Sequence, residues 1–218
     1  MTQPPMEYID AGGVTSAPAP QASVARRGMR GWVPPLIGLA TFLVVLVGFG
    51  AIIGDAVARN AEMRALVTAI EKSEAAMGDT QENVRGILEA YSGRTPLSEQ
   101  DQEELDAALQ AAASQGRDAI AAAGEQVGEV QWLVWHRDVG QAQDAYLAHN
   151  RAWQEYLDRA SEDPAEFARS QDDVNSTFVD AEAEVRAAIP LIALFDLRDR
   201  IDAIFAPPPA EEGDGQSA

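Results

Sequence analysis

The chain has 218 residues, room for one folded domain with tails, and holds 35 acidic against 16 basic residues for a net charge of −19. It has no cysteine, which excludes disulfides, thiolate metal sites, a cysteine nucleophile and a lipid-modified N-terminal cysteine. The charge is lopsided, net +1 over residues 1–32 and net −20 from Asp55 onward, so the main domain repels nucleic-acid phosphate and suits basic partners or loosely held cations.

Residues 1–31 contain Pro-Pro, Gly-Gly and the run APAPQAS without apolar periodicity, which predicts a disordered tail. Residues 31–54 then carry no charge and are closed by Arg30 and Asp55. These 24 residues, at about 1.5 Å of helix rise each, suffice to cross a hydrocarbon core of roughly 30 Å. We therefore expect a transmembrane helix over 32–54, with Pro34 and Pro35 in its first turn and Trp32 at the membrane interface. Arg26, Arg27 and Arg30 crowd one edge of the span, against Arg59 and Arg64 beyond the other. The positive-inside rule then places the N-terminus in the cytoplasm and the C-terminal domain outside it. Ala56-Val57-Ala58 also matches a signal-peptidase site, so a signal cleaved after Ala58 is the alternative to a retained anchor. The apolar run outlasts the roughly 7–15 residues of a signal core, which favours the retained anchor of a single-pass protein. Gly50 and Gly54 have GxxxG spacing, which permits helix dimerisation, although ordinary glycine content of a span accounts for them and is preferred.

From 55 to 206 the pattern is helical throughout, and no segment reads as a strand pair. Met63, Ile70, Met77, Val84 and Tyr91 recur every seven residues; Leu66, Val67, Ile87 and Leu88 thicken the stripe at its ends, while Ser73, Glu74, Thr80 and Gln81 thin its middle. This predicts a first helix with a narrow, coiled-coil-like seam, ending at Ser92-Gly93. Thr95-Pro96 is expected to start the second helix, as N-cap and first helical residue. That helix carries Leu109, Gly116, Ile120, Ala123, Val127, Val130 and Val134. A third stripe, Trp132, Trp135, Val139, Ala142, Tyr146, His149, Trp153, Tyr156 and Ala160, is offset by two residues. With Gly124, Gly128 and Gly140 nearby, the offset predicts a turn in 124–131; one bent helix over 96–160 is the competitor. Asp163-Pro164-Ala165-Glu166 predicts a capping box opening a fourth helix with Phe167, Val174, Phe178, Ala181, Val185, Ala188 and Ile192. Pro190 should kink it, and 191–205 should form a short amphipathic helix with Leu194, Leu197, Ile201 and Ile204 on one face. Residues 207–218 read as a second, acidic disordered tail.

The expected fold is all-α, one transmembrane helix followed by an antiparallel bundle, four helices by this reading. In that topology the turn before Trp132 and Trp135 returns to the bilayer, so these two tryptophans have an interfacial reading level with a core one. The last helix reads as core in preference to a membrane-surface helix.

The candidate chemistry is sparse. His136 and His149, the two histidines, would lie about 220° apart on one helix and cannot share a metal from one face. Tyr146, His149, Trp153, Tyr156 and Phe178 are core or pocket candidates, an apolar cavity among them being what a ligand carrier would need. Asp173, Asn175, Thr177 and Glu184 fall on positions one, three, five and twelve of a calcium loop, but Phe178 stands where that loop needs glycine. Asn175-Ser176-Thr177 matches a glycosylation sequon that a bacterial source makes uninformative, and fifteen arginines beside Lys72 look like such a source. No nucleophile elbow, phosphate loop or cofactor motif is present, and the carboxylates look like solvated faces, so the expectation is a protein that is not an enzyme, without metal or cofactor. Its expected partners are the membrane and other membrane or envelope proteins or a second copy, in an accessory or scaffold role; a sensing or carrier bundle and an envelope spacer are the alternatives. In architecture alone the bundle resembles the helical sensing domains of chemoreceptors and membrane kinases, from which it departs in having one span and no output domain in residues 1–31.

Overall fold

In a computed structural model, which describes residues 33–94, 96–190 and 195–206, the described chain is all-helical. The elements are α1 (Val33–Ser92), α2 (Glu99–Gly128), α3 (Arg137–Glu162), a short 3-10 helix (Pro164–Ala168), α4 (Asp172–Ala187) and α5 (Phe195–Ile204). The expectations for both tails, Trp32, Thr95 and 191–194 fall outside the described residues.

The chain divides into two units, Met1–Gly48 and Phe49–Ala218. In the first, the described part is the opening of α1, where Phe42, Val44 and Val47 stand exposed. Among the described helices α1 alone is long and apolar enough to cross a membrane.

The second unit is the bundle. Its core forms three clusters that also show its topology. At one end Met63, Leu66, Val67 and Ile70 of α1 meet Val127 of α2, Val139 and Tyr146 of α3, Ala181 and Val185 of α4, and Leu197 and Ile201 of α5. In the middle, Met77 meets Ala113 and Ile120, Trp153, Tyr156 and Leu157, and Val174. At the far end Val84 meets Leu105 and Leu109. Rising numbers on α1 pair with falling numbers on α2, and α2, α3 and α4 alternate in the same way, so the first four α-helices run antiparallel. α5 instead runs parallel to α1: Arg64 bonds Asp196, and Arg200 bonds Thr68 and Glu71. Each fully buried Leu, Ile or Met in these clusters contributes roughly 1.5–3 kcal/mol.

The thin middle of the α1 seam is buried rather than open. Ser73 and Thr80 are both inside the fold. Thr80 turns its hydroxyl back to the Ala76 carbonyl (2.7 Å) and packs on Gly116, where a Cβ would come within 2.3 Å of its methyl. The Ser73 oxygen accepts from Asn150 Nδ2 (2.8 Å), and Asn150 lies on Gly124. Small residues on α2 thus make room for polar ones on α1 and α3.

Four sequence expectations are corrected. α2 starts at Glu99, not Pro96, because Ser98 and Asp101 form a reciprocal capping box: Ser98 Oγ accepts the Asp101 amide and the Asp101 carboxylate accepts the Ser98 amide. The second break is at 129–136 rather than 124–131, so 96–160 is two helices, and Trp132, Val134 and Trp135 lie in the connection instead of on helical stripes. Gln143 makes the later break affordable by donating to the Val127 and Val130 carbonyls (2.6 and 3.0 Å) at the end of α2. Asp163 caps only the 3-10 helix, and α4 starts at Asp172, leaving Phe167 outside it. The Asp163 amide that a capping box would need already bonds the Arg159 carbonyl to close α3 (2.8 Å), and Glu166 turns to Arg169 and Arg159. Finally, Pro190 follows the end of α4 rather than kinking it: the helix stops at Ala187, and the Ile189 amide closes on the Arg186 carbonyl (3.3 Å).

Candidate functional site

The five interior candidates fall into two groups. Tyr146, His149 and Phe178 share the first core end, with the His149 ring 5.8 Å from Tyr146 and 5.3 Å from Phe178. Trp153 and Tyr156 belong to the middle cluster, their rings 5.8 Å apart, edge to face. Tyr146, His149 and Tyr156 are almost wholly buried, filling core rather than facing one shared space.

The polar groups of this interior are partnered across helices. Tyr146 donates its hydroxyl to Glu74 Oε1 (2.8 Å), and His149 Nδ1 meets the Thr177 hydroxyl (3.1 Å) while Nε2 lies 3.9 Å from Glu74. Burial raises the Glu74 carboxyl above the ordinary range, partly offset by the Tyr146 bond, and lowers His149 to about 4. Both directions favour uncharged groups. Burial, followed by the Glu74 charge, also raises Tyr146.

An apolar groove of about 350 Å³ lies open to solvent between α1 and α3. Trp153, Tyr156 and Leu157 of α3 and Phe167 of the 3-10 helix line one side; Val84 and Leu88 of α1 line the other, with Gln81, Arg85 and Glu89 at the rim. Its cause is a mismatch of lengths. α3 has 26 residues and α4 has 16, so the turns of α3 beyond Tyr156 face a 3-10 helix in place of a fourth α-helix. Gln171 closes one end by donating to the Tyr156 hydroxyl (3.0 Å). Leu88, read from the sequence as part of the α1 stripe, is 44% exposed. Val67 holds the same position in the seven-residue repeat and is buried, so spacing alone carried no signal for the outward position of Leu88.

A second constellation joins residues far apart in sequence. His136 Nδ1 bonds Glu62 Oε2 (2.5 Å) and Nε2 bonds Asp55 Oδ1 (3.1 Å). Glu62 Oε1 also accepts the Leu133 amide (2.9 Å), and Arg59 pairs with Asp138. Trp135 donates its indole N–H to Asp55 (2.9 Å), a bond that, ahead of the one from His136, holds the Asp55 carboxyl below its usual range. Trp132 takes a different path: its indole N–H donates to Gln143 (2.9 Å) and its ring lies on Gly140, where a Cβ would come within 2.4 Å. Trp132 is therefore half-buried packing, and Trp135 is exposed.

The segment 173–184 lies within α4, so the calcium-loop conformation is not adopted. Among the described residues, no cluster of three or more His, Asp or Glu side chains is placed to hold a metal ion. Comparison of the chain with protein-family models, with curated proteins and with solved structures returns no match.

Proposed function

We propose that this is a single-pass membrane protein with a retained signal anchor, its N-terminus cytoplasmic and its helical bundle extracytoplasmic, that acts without catalysis by binding another protein. The observation that carries the reading is the groove between α1 and α3, where the position of a fourth helix is vacant over apolar and aromatic side chains. The occupant we assign is an amphipathic helix of a membrane or envelope partner with basic flanks. Its apolar face would meet Leu88 and Phe167, and its flanks the acidic field of a domain with net charge −20.

Photocrosslinking from Leu88 in the full-length protein in its own membrane tests this. The expected result is one defined adduct that Leu88→Asp abolishes and Val179→Asp on α4 leaves intact. Adducts equally reduced by both substitutions, or only monomer, would refute the groove as the docking site. Topology is tested separately. The chain has no native cysteine, so Ser92→Cys should react with an impermeant maleimide on intact cells, whereas Ser16→Cys should react only after lysis.

A further inference from the structure

The connection between α2 and α3 carries an exposed apolar pair that nothing among the described residues covers. Val134 is 75% and Trp135 63% exposed. Among the described residues beyond Val57, the other large apolar side chains standing so open are Leu88 and Val179. Adjacent exposed Val and Trp are costly in water, and here they are also held in place. The Trp135 indole N–H is bonded to Asp55, the first charged residue after the apolar run, and Ile52, Ile53 and Val57, within a turn of Asp55, are exposed as well. Glu62 holds Leu133 and His136 on either side of the pair, and Arg59 holds Asp138 behind it.

We infer that Val134 and Trp135 form a second lipid contact, seated in the interfacial layer of the bilayer that α1 crosses. The inference rests on residues 31–54 lying in a bilayer and adds to it a second point of contact with that bilayer. Three features fit a lipid surface. Tryptophan is enriched at this depth, where an apolar ring and a polar N–H are both accommodated. The pair is level with the first charge past the span, the depth at which the interface begins. Three carboxylates near the pair are bonded within the fold, Asp55 and Glu62 to His136 and Asp138 to Arg59.

The test uses the full-length protein, labelled with fluorotryptophan, in phosphatidylcholine nanodiscs. Its four tryptophans give four fluorine resonances, assigned by single Trp→Phe substitutions. Lipid carrying a nitroxide high on the acyl chain should remove most of the intensity of Trp135 and of Trp32, and leave Trp153 unchanged; an aqueous gadolinium chelate should spare Trp135. If Trp32 is attenuated by the lipid nitroxide and Trp135 instead by the chelate, the second contact is refuted and the anchor stands. If neither probe reaches Trp135, protein covers it and the lipid contact is likewise refuted. If Trp32 also escapes the nitroxide, the anchor reading itself fails.

Discussion

Replacing Gly124 by Ala separates two effects of opposite sign. On helix propensity alone, Gly→Ala in a helix interior stabilises by about 1 kcal/mol. At this site, however, the new methyl would lie 2.6 Å from Asn150 Oδ1 and 2.9 Å from its Cγ. Asn150 is 1% exposed and cannot swing into water. Moving it breaks the bond to Ser73 (2.8 Å) and the bond it accepts from Gln154 (2.6 Å). Two such bonds lost in a buried setting cost about 3 kcal/mol, so Gly124→Ala should destabilise by about 2 kcal/mol net. For a domain of this size that lowers the melting temperature by about 4–8 °C. The measurement is thermal or urea unfolding of the full chain in nanodiscs, followed by circular dichroism. The decisive arm is the double mutant: in an Asn150→Ala background the obstacle is gone, and Gly124→Ala should turn neutral or stabilising, a coupling of at least about 2 kcal/mol. A Gly124→Ala variant that is stabilised in the native background would refute the reasoning, because it would mean that α2 and α3 do not approach closely at this level.

Ser98→Ala removes one half of the capping box of α2 and should cost about 1 kcal/mol, read as a lower unfolding midpoint with unchanged folded-state helicity. His149 has a folded pKa of about 4 against an ordinary 6.5, so its contribution is intact above pH 6.5 and is lost as the pH falls toward 4, when only the unfolded state takes up the proton. The slope is about 1.4 kcal/mol per pH unit, and His149→Asn should flatten the loss of stability between about pH 6.5 and 5. Glu74 acts in the opposite direction: its raised pKa means that a buried carboxylate is stabilised when it takes up a proton, so Glu74→Gln should raise the unfolding midpoint at neutral pH and lose that advantage in acid. Arg200→Gln gives up the pair with Glu71 and the bond to Thr68, and hydrogen exchange should then speed up in α5 well before it does in α2 or α3.

The helices and their antiparallel order were legible because they depend on spacing that repeats within a few turns. Met63, Ile70, Met77 and Val84 are all buried as the seven-residue repeat implies. The boundaries were less legible because each was decided by competition for a particular amide or carbonyl. Asp163 looks like half of a capping box until one finds its amide already bonded to the Arg159 carbonyl at the end of α3. The break after α2 depends on Gln143, a residue 15 positions beyond Gly128 whose amide reaches back to the free carbonyls. The cluster of Asp55, Glu62 and His136 left no sequence signal, because His136 lies 74 positions beyond Glu62 and 81 beyond Asp55, and the seven-residue spacing of the two carboxylates on α1 does not point to a partner so far along the chain.

The thin middle of the α1 seam changes the argument about partners. Ser73 and Thr80 leave gaps in an apolar stripe, and an incomplete stripe suggests that a second molecule completes it. In the fold these positions are complete: Gly116 admits Thr80, and Gly124 admits the Asn150 that bonds Ser73. Polarity in a stripe therefore does not by itself mark an interface, since glycine and asparagine on neighbouring helices can match it. The unmatched surface lies about one helical turn on, where Val84 and Leu88 face Phe167 across a space that α4 is too short to fill. Chain length, rather than seam composition, creates that vacancy. Lengthening α4 at its N-terminus by two turns of alanine-rich helix in place of the 3-10 helix should fill the groove and raise stability while abolishing the crosslink from Leu88. Retention of the crosslink in such a folded variant would show that the partner binds elsewhere.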